Sequence, residues 1–240
     1  MANPPVAFLD ANVLRGQLTT DVMLSVADSK LFEPQWSAEV LDEVKRNRPA
    51  GVTAERADGR LAQMAKAFPE ALITDYQHRM SDMRADEKDK HVLAAAVHGE
   101  ADVLVTDNVK DFDPPATGSN AMPVERTSEF LGRLLAEEPQ LVVDSMEKMV
   151  ARNRRAPRTM PELIDKMVTQ QDLKEFAHKL NGIVRPEQRG SHPDLQAVRA
   201  AKVALDGLSA PTRTAGETGV ASEGRRGGGK GTEKSPGAEL

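Results

Sequence analysis

Residues 101–115 read ADVLVTDNVKDFDPP. Three apolar residues, Val103-Leu104-Val105, run straight into Thr106-Asp107-Asn108 and then into Asp111-Phe112. A short apolar run bounded by turn formers predicts a strand covered on both faces. Carboxylates at the carboxyl end of such a strand stand where open α/β sheets bind ligands. For one stretch alone the commoner reading is an Asx-turn or a helix cap, since Asp and Asn lead both preferences. The question is whether other acidic strand ends gather with this one.

Working outward, Val6-Ala7-Phe8-Leu9 predicts a first strand closed by Asp10, followed by a helix over about Val13 to Ala27. Leu31 to Trp36 reads as a second strand, and Ser37 caps a helix carrying Glu39, Asp42 and Glu43. A helix over about Ala54 to Ala67 leads to a weak strand, Ala71 to Thr74. Asp89 opens an alanine-rich helix closed by Gly99, which returns to the central strand. A short fifth strand falls near Met122-Pro123-Val124. Strands alternating with helices imply a doubly wound parallel sheet with right-handed crossovers. From Thr127 to about Asn181 the pattern is helical, with a stripe at Phe130, Leu131, Leu134 and Leu135 and further helices through Met146, Leu163 and Leu173. Beyond Pro186 the chain turns polar, apart from a helical stretch over Leu195 to Leu208. The glycine- and charge-rich end lacks the apolar residues to fold. The expected organisation is an α/β unit over 1–135, a helical extension over 136–185 and a largely disordered polar tail over 186–240.

The composition excludes several chemistries. The 240 residues contain no cysteine, so disulfides, thiolate zinc sites and a cysteine nucleophile are ruled out. Five histidines show no H-E-x-x-H pairing; His91 and His98 share a helix face at best. A metal here would be held by oxygen, which favours Mg²⁺ or Mn²⁺. The net charge of −5 carries no global sign of nucleic-acid binding, so any such contact is local. The N-terminus MANPPVAFLDANVL lacks a basic start and is interrupted by Asp10, and no apolar run approaches a membrane span. A cytoplasmic protein is the expectation.

Asp10, Asp107 and Asp111 follow strands, Asp89 opens a helix and Glu43 lies one to two turns into the helix after the second strand, all at one edge of the predicted sheet. Two carboxylates about 5 Å apart repel by roughly 3 kcal/mol at an effective dielectric of about 20. Such a cluster persists by taking up protons or by binding a cation.

FLDANVL, SAEVLDEV, DEKDKHVLAAAV and ADVLVTDNVKDF, in this order and spacing, resemble the PIN domain, and within that family the VapC-type ribonuclease toxins of bacterial toxin–antitoxin pairs. The resemblance covers about residues 4–135. It implies a three-layer PIN-like sheet and a metal-dependent RNA endonuclease, with Mg²⁺ or Mn²⁺ as cofactor and products ending in 5′-phosphate and 3′-hydroxyl. Carried over by motif, Asp10, Glu43, Asp89 and Asp111 are the expected catalytic acids. Asp10, Asp89 and Asp111 are the expected metal ligands, with Asp107 as the alternative fourth corner. Glu39 is a substitute for Glu43 one turn earlier. Asn12, Thr106 and Asn108 are supporting residues; Asn108 stands where many PIN domains place the fourth acid. An RNA substrate, a VapB-like antitoxin and a second copy of the chain are the partners implied; a membrane is not.

For substrate contact, Lys148, Arg152, Arg154, Arg155 and Arg158 form a run without an intervening acid, suited to a phosphate backbone or to a solvated loop. Only 3% of residues are aromatic, so base stacking is not the main source of affinity. Two rival functions remain. A haloacid-dehalogenase-like phosphatase would use Asp10 as nucleophile but needs an aspartate where Asn12 stands. An inactive PIN scaffold that binds RNA or a partner rests on Asn108 alone.

Overall fold

The computed structural model of the chain describes residues 3–114 and 121–197. Five strands form one all-parallel sheet in the order β3-β2-β1-β4-β5: β1 (Val6–Leu9), β2 (Glu33–Ser37), β3 (Leu72–Ile73), β4 (Val103–Val105) and β5 (Val124–Glu125). β1 sits at the centre, with Phe8 opposite both Gln35 and Leu104. The order reverses between β1 and β4, so a crevice opens beyond the carboxyl ends of those two strands. A backbone bond from Asp10 N to the Val105 carbonyl, 3.1 Å, ties the two strand ends together there.

The helices are α1 (Ala11–Arg15), α2 (Gln17–Asp28), α3 (Ala38–Arg46), α4 (Ala54–Ala67), α5 (Lys90–His98), α6 (Thr127–Glu137), α7 (Pro139–Arg152), α8 (Met160–Val168) and α9 (Lys174–Ile183). Right-handed crossovers put α2 and α5 on opposite faces of the sheet. In α5, Val92 to Val97 are all buried, and its three consecutive alanines let the helix lie close on the strands. Ser37 caps α3 by accepting from Val40 N at 3.2 Å, and Thr53 caps α4 in the same way through Arg56 N.

Several boundaries differ from those expected. The helix expected over Val13 to Ala27 is broken at Gly16, whose backbone is extended (φ −75°, ψ 128°). The carbonyls freed there are used: Leu14 O accepts from Thr20 Oγ1 (2.9 Å) and from Arg60 Nη2 (2.8 Å). The second strand starts at Glu33, not Leu31, because α2 ends in a Schellman closure. Lys30 adopts φ 63°, Lys30 N bonds Ala27 O and Leu31 N bonds Val26 O. α5 closes similarly, but the left-handed residue is Glu100 (φ 53°) and not Gly99 (φ −78°). Gly99 lies close to the ends of the Gln35 and Ile73 side chains, so a Cβ there would push the Gln35 amide aside.

The C-terminal helices share the core of the sheet. Phe32 packs edge-on against Phe130 of α6, with centroids 5.0 Å apart. α7 lies on α2, where Ser145 Oγ donates to the Ser25 carbonyl at 2.7 Å. One continuous cluster of buried residues runs from Ala7 and Phe8 through Val142 and Met146 to Leu163 and Phe176. Residues 186–197, assigned from the sequence to the polar tail, are folded onto α8 and α9. Leu195 is buried, Gly190 N donates to Asn181 Oδ1, and Asp165 accepts from the backbone of Ser191 and His192. Polar bonds to Asp165, Asn181 and Lys174, with the single buried Leu195, hold this segment in place of an apolar stripe. Of the helix expected over Leu195 to Leu208, residues up to 197 are helical and the rest, with the tail to residue 240, lies outside the described residues.

Candidate active site

Asp10, Asn12, Arg15, Glu43, Asn47, Lys88, Asp89 and Asn108 line a crevice of about 290 Å³ at the point where the strand order reverses. Asp10 forms its floor and is only 7% exposed. Oδ1 accepts from Ala11 N (2.6 Å), and Oδ2 accepts from Asn12 Nδ2 (2.6 Å) and Thr106 Oγ1 (2.7 Å). Thr106 is fully buried and also accepts from Asn12 Nδ2 (2.8 Å) and Asn108 N (3.1 Å). Asn12 Oδ1 in turn accepts from Asp107 N. Thus Asn12, Thr106 and the Asn108 backbone fix Asp10 from two strand ends at once. Burial raises the Asp10 pKa, Thr106 and Ala11 oppose the rise by hydrogen bonding, and the charges of Glu43 and Asp89 add to it.

Glu43 projects from α3 and accepts from His91 Nε2 of α5 at 2.9 Å. Glu39 points elsewhere and accepts from Gln77 Nε2. Asp89 occupies the N-cap position of α5 but makes no side-chain cap bond, so its carboxylate is free for other work. Its Oδ2 is buried and meets no hydrogen-bond partner. Lys88 Nζ stands at ion-pair distance from Asp89 Oδ2 (3.5 Å) and Asp111 Oδ2 (3.6 Å). The lysine is exposed, so these pairs contribute little to stability. Burial also raises the Asp89 pKa; Lys88 opposes the shift, and Asp111 and Glu43 reinforce it.

The two candidates for the fourth corner separate clearly. Asp107 turns toward α6, accepting from Thr127 N (3.3 Å) and Thr127 Oγ1 (2.9 Å). Asp111 sits on a 3₁₀ turn, Val109–Asp111, and accepts from Asn108 Nδ2. One oxygen each of Asp86, Asp89 and Asp111 lie within 4.8 Å of one another. Asp86 was not singled out from the sequence, because it falls in an exposed turn before α5 with no periodicity to mark it.

The arginine run does not reach this crevice. Arg152 donates to Ser25 Oγ (2.5 Å) and pairs with Asp28 (3.9 Å) at the far end of α2, toward the opposite edge of the sheet. Arg154, Arg155 and Arg158 follow it. The cations that do line the crevice are Arg15 and Lys88. Neither stood out in the sequence, since a single basic residue beside an acid reads as ordinary surface.

An oxygen-only set with one buried carboxylate oxygen that accepts no hydrogen bond, and with Asp10 and Asp89 both raised in pKa, fits a hard divalent cation such as Mg²⁺ or Mn²⁺. The five-stranded parallel sheet of order 3-2-1-4-5 is a doubly wound architecture with an acidic crevice at its switch point, and residues 7–110 match the family model described as PIN domain. Residues 128–182 match the VapC50 C-terminal domain. The chain therefore belongs to the PIN-domain proteins of the VapC type. Searches of curated proteins and of solved structures returned no match.

Proposed function

We propose that the chain is a divalent-metal-dependent endoribonuclease and the toxin of a toxin–antitoxin pair. The observation that carries this reading is the convergence of Asp10, Glu43 and Asp89 on one crevice from α1, α3 and α5, with Asp89 Oδ2 buried and faced only by the exposed Lys88 ammonium at 3.5 Å. Asp10, Asp89 and Asp111 would hold Mg²⁺ or Mn²⁺, with Asp86 within reach of the outer side. When bound, the ion would lower the pKa of water to make a nucleophile near neutral pH and offset charge on the phosphate.

The chain's own residues divide the remaining work. Thr106 and Asn12 keep Asp10 in one rotamer by each donating to its Oδ2, and Asn12 also donates to Thr106. Glu43 lines the crevice beside Asp10 and Asp89 and takes the proton of the attacking water. Arg15 and Lys88 flank the acids and contact the phosphates of the RNA strand. Asp107 supports the site indirectly by anchoring the loop after β4 to α6. The phosphatase alternative loses ground because Asn12, in the position of the needed second acid, is spent on Asp10 and Thr106. The described residues contain no helix long and apolar enough to cross a membrane. The VapC-type C-terminal match supports a VapB-like antitoxin as partner.

The test is metal dependence. Chelation should stop RNA cleavage, Mg²⁺ or Mn²⁺ should restore it, and the products should carry 5′-phosphates. Recovery with Zn²⁺ alone would overturn the oxygen-ligand assignment, because no soft donor is present to select zinc.

A further inference from the structure

The pairing of His91 with Glu43 bridges α5 and α3 across the crevice wall, and nothing in the nuclease reading requires it. His91 Nε2 lies 2.9 Å from Glu43 Oε1, and the imidazole is only 12% exposed. Its other nitrogen, Nδ1, is buried and has no partner. A proton on Nδ1 would leave a sealed N–H without an acceptor and would turn the Nε2 lone pair against a carboxylate. The proton therefore belongs on Nε2, donated to Glu43. One carboxylate oxygen is thereby engaged; among the described residues Oε2 accepts no hydrogen bond.

We propose that His91 is a positioning residue that donates from Nε2 to Glu43 Oε1 and presents Glu43 as a one-oxygen acceptor for the proton of the attacking water, rather than as a metal ligand. The inference rests on the nuclease reading above. It divides the four acids by role: Asp10, Asp89 and Asp111 face the cation, while Glu43, fixed by an imidazole, faces the water. Glu43 is also oriented by its place on α3, whose start is held by the Ser37 cap. The imidazole sets which oxygen turns outward. Lys88, three residues before His91, pairs with Asp89 and Asp111 rather than with Glu43, and Lys90 pairs with Glu87, so neither lysine replaces this donor.

The experiment compares wild type, His91→Leu and His91→Gln in full-length protein. Gln retains a donor near the place of Nε2; Leu does not. His91→Leu should lower kcat for RNA cleavage by about 10- to 100-fold, the range in which a misoriented catalytic group costs activity through its supporting shell. KM for RNA and the calorimetric Kd for Mn²⁺ should stay within about twofold, and His91→Gln should recover most of kcat. A parallel loss of Mn²⁺ affinity would show that Glu43 is a ligand and overturn the division of roles. Equal kcat for wild type and His91→Leu would overturn the positioning role. Should the Leu variant fail to fold, the ¹⁵N spectrum of wild-type His91 decides: a proton on Nε2 is expected, and one on Nδ1 alone contradicts the proposal. Absence of cleavage by the wild type with any divalent ion would defeat the nuclease reading itself, whereas the calorimetric and ¹⁵N readouts address His91 independently of cleavage.

Discussion

Asp10 combines two demands that oppose each other, burial and ionisation. Its carboxylate accepts three hydrogen bonds, yet burial and the facing Glu43 and Asp89 charges leave its pKa above the ordinary 3.8. A carboxyl whose folded pKa is raised binds more protons in the native state between the unfolded and folded values. Its favourable contribution is complete below 3.8 and is lost as pH rises through the folded pKa. Asp10→Asn should therefore be at least as stable as the wild type at neutral pH, and its advantage should shrink as pH falls toward 3.8. Thermal melts of both proteins across the acid range check this. A variant less stable at neutral pH, with the gap closing at low pH, would show that the hydrogen bonds to the charged form outweigh burial. Mg²⁺ should raise the melting temperature of the wild type but not of the variant, since only the former retains the ligand.

At the level of elements, the loop after β4 is where two aspartates four positions apart acquire different tasks. Asp107 binds the first residue of α6 through both oxygens, while Asp111 turns back toward Asp89 on the 3₁₀ turn. Asp107→Ala, which removes both acceptors, should cost about 1 kcal/mol of stability, the usual loss when a side-chain acceptor at a helix start is truncated to Ala, and reduce activity modestly. Asp111→Asn should leave the melting temperature nearly unchanged and weaken Mn²⁺ binding, read by calorimetry. The reverse pattern would exchange their roles. The apolar strand Val103–Val105 and its acidic exit were legible in the sequence because both follow from local composition. Which aspartate faces the cleft was not, because it depends on a 3₁₀ turn and on Thr127, twenty positions away. The same holds for the helix ends at Lys30 and Glu100, where a left-handed residue other than glycine removes the usual signal. The Glu43–His91 pair joins residues 48 positions apart, and no local pattern announces it.

Across the whole molecule, the helical extension is a structural layer of the sheet domain and not an appended unit. α7 covers α2, Phe130 packs on Phe32, and Thr19 Oγ1 donates to Asp172 between α8 and α9 at 2.6 Å. The apolar stripes of these helices were visible in the sequence, but their docking surface was not, since it is built by side chains of α2 and β2 far back in the chain. Deleting residues from Ala136 onward should expose the buried face of α2 and cause aggregation, because each large apolar side chain uncovered forfeits about 1.5–3 kcal/mol. Deleting 210–240 should leave the melting temperature and cleavage nearly unchanged, as that stretch is rich in glycine and charge. A soluble, fully active 1–135 fragment would show that the layer serves partner binding alone. The most direct test of the acidic crevice is a cleavage time course on a defined RNA with Mg²⁺, comparing wild type with Asp10→Asn. The wild type should cut, and Asp10→Asn should be slower by at least about 100-fold with its fold intact; cleavage by Asp10→Asn at the wild-type rate would contradict the account.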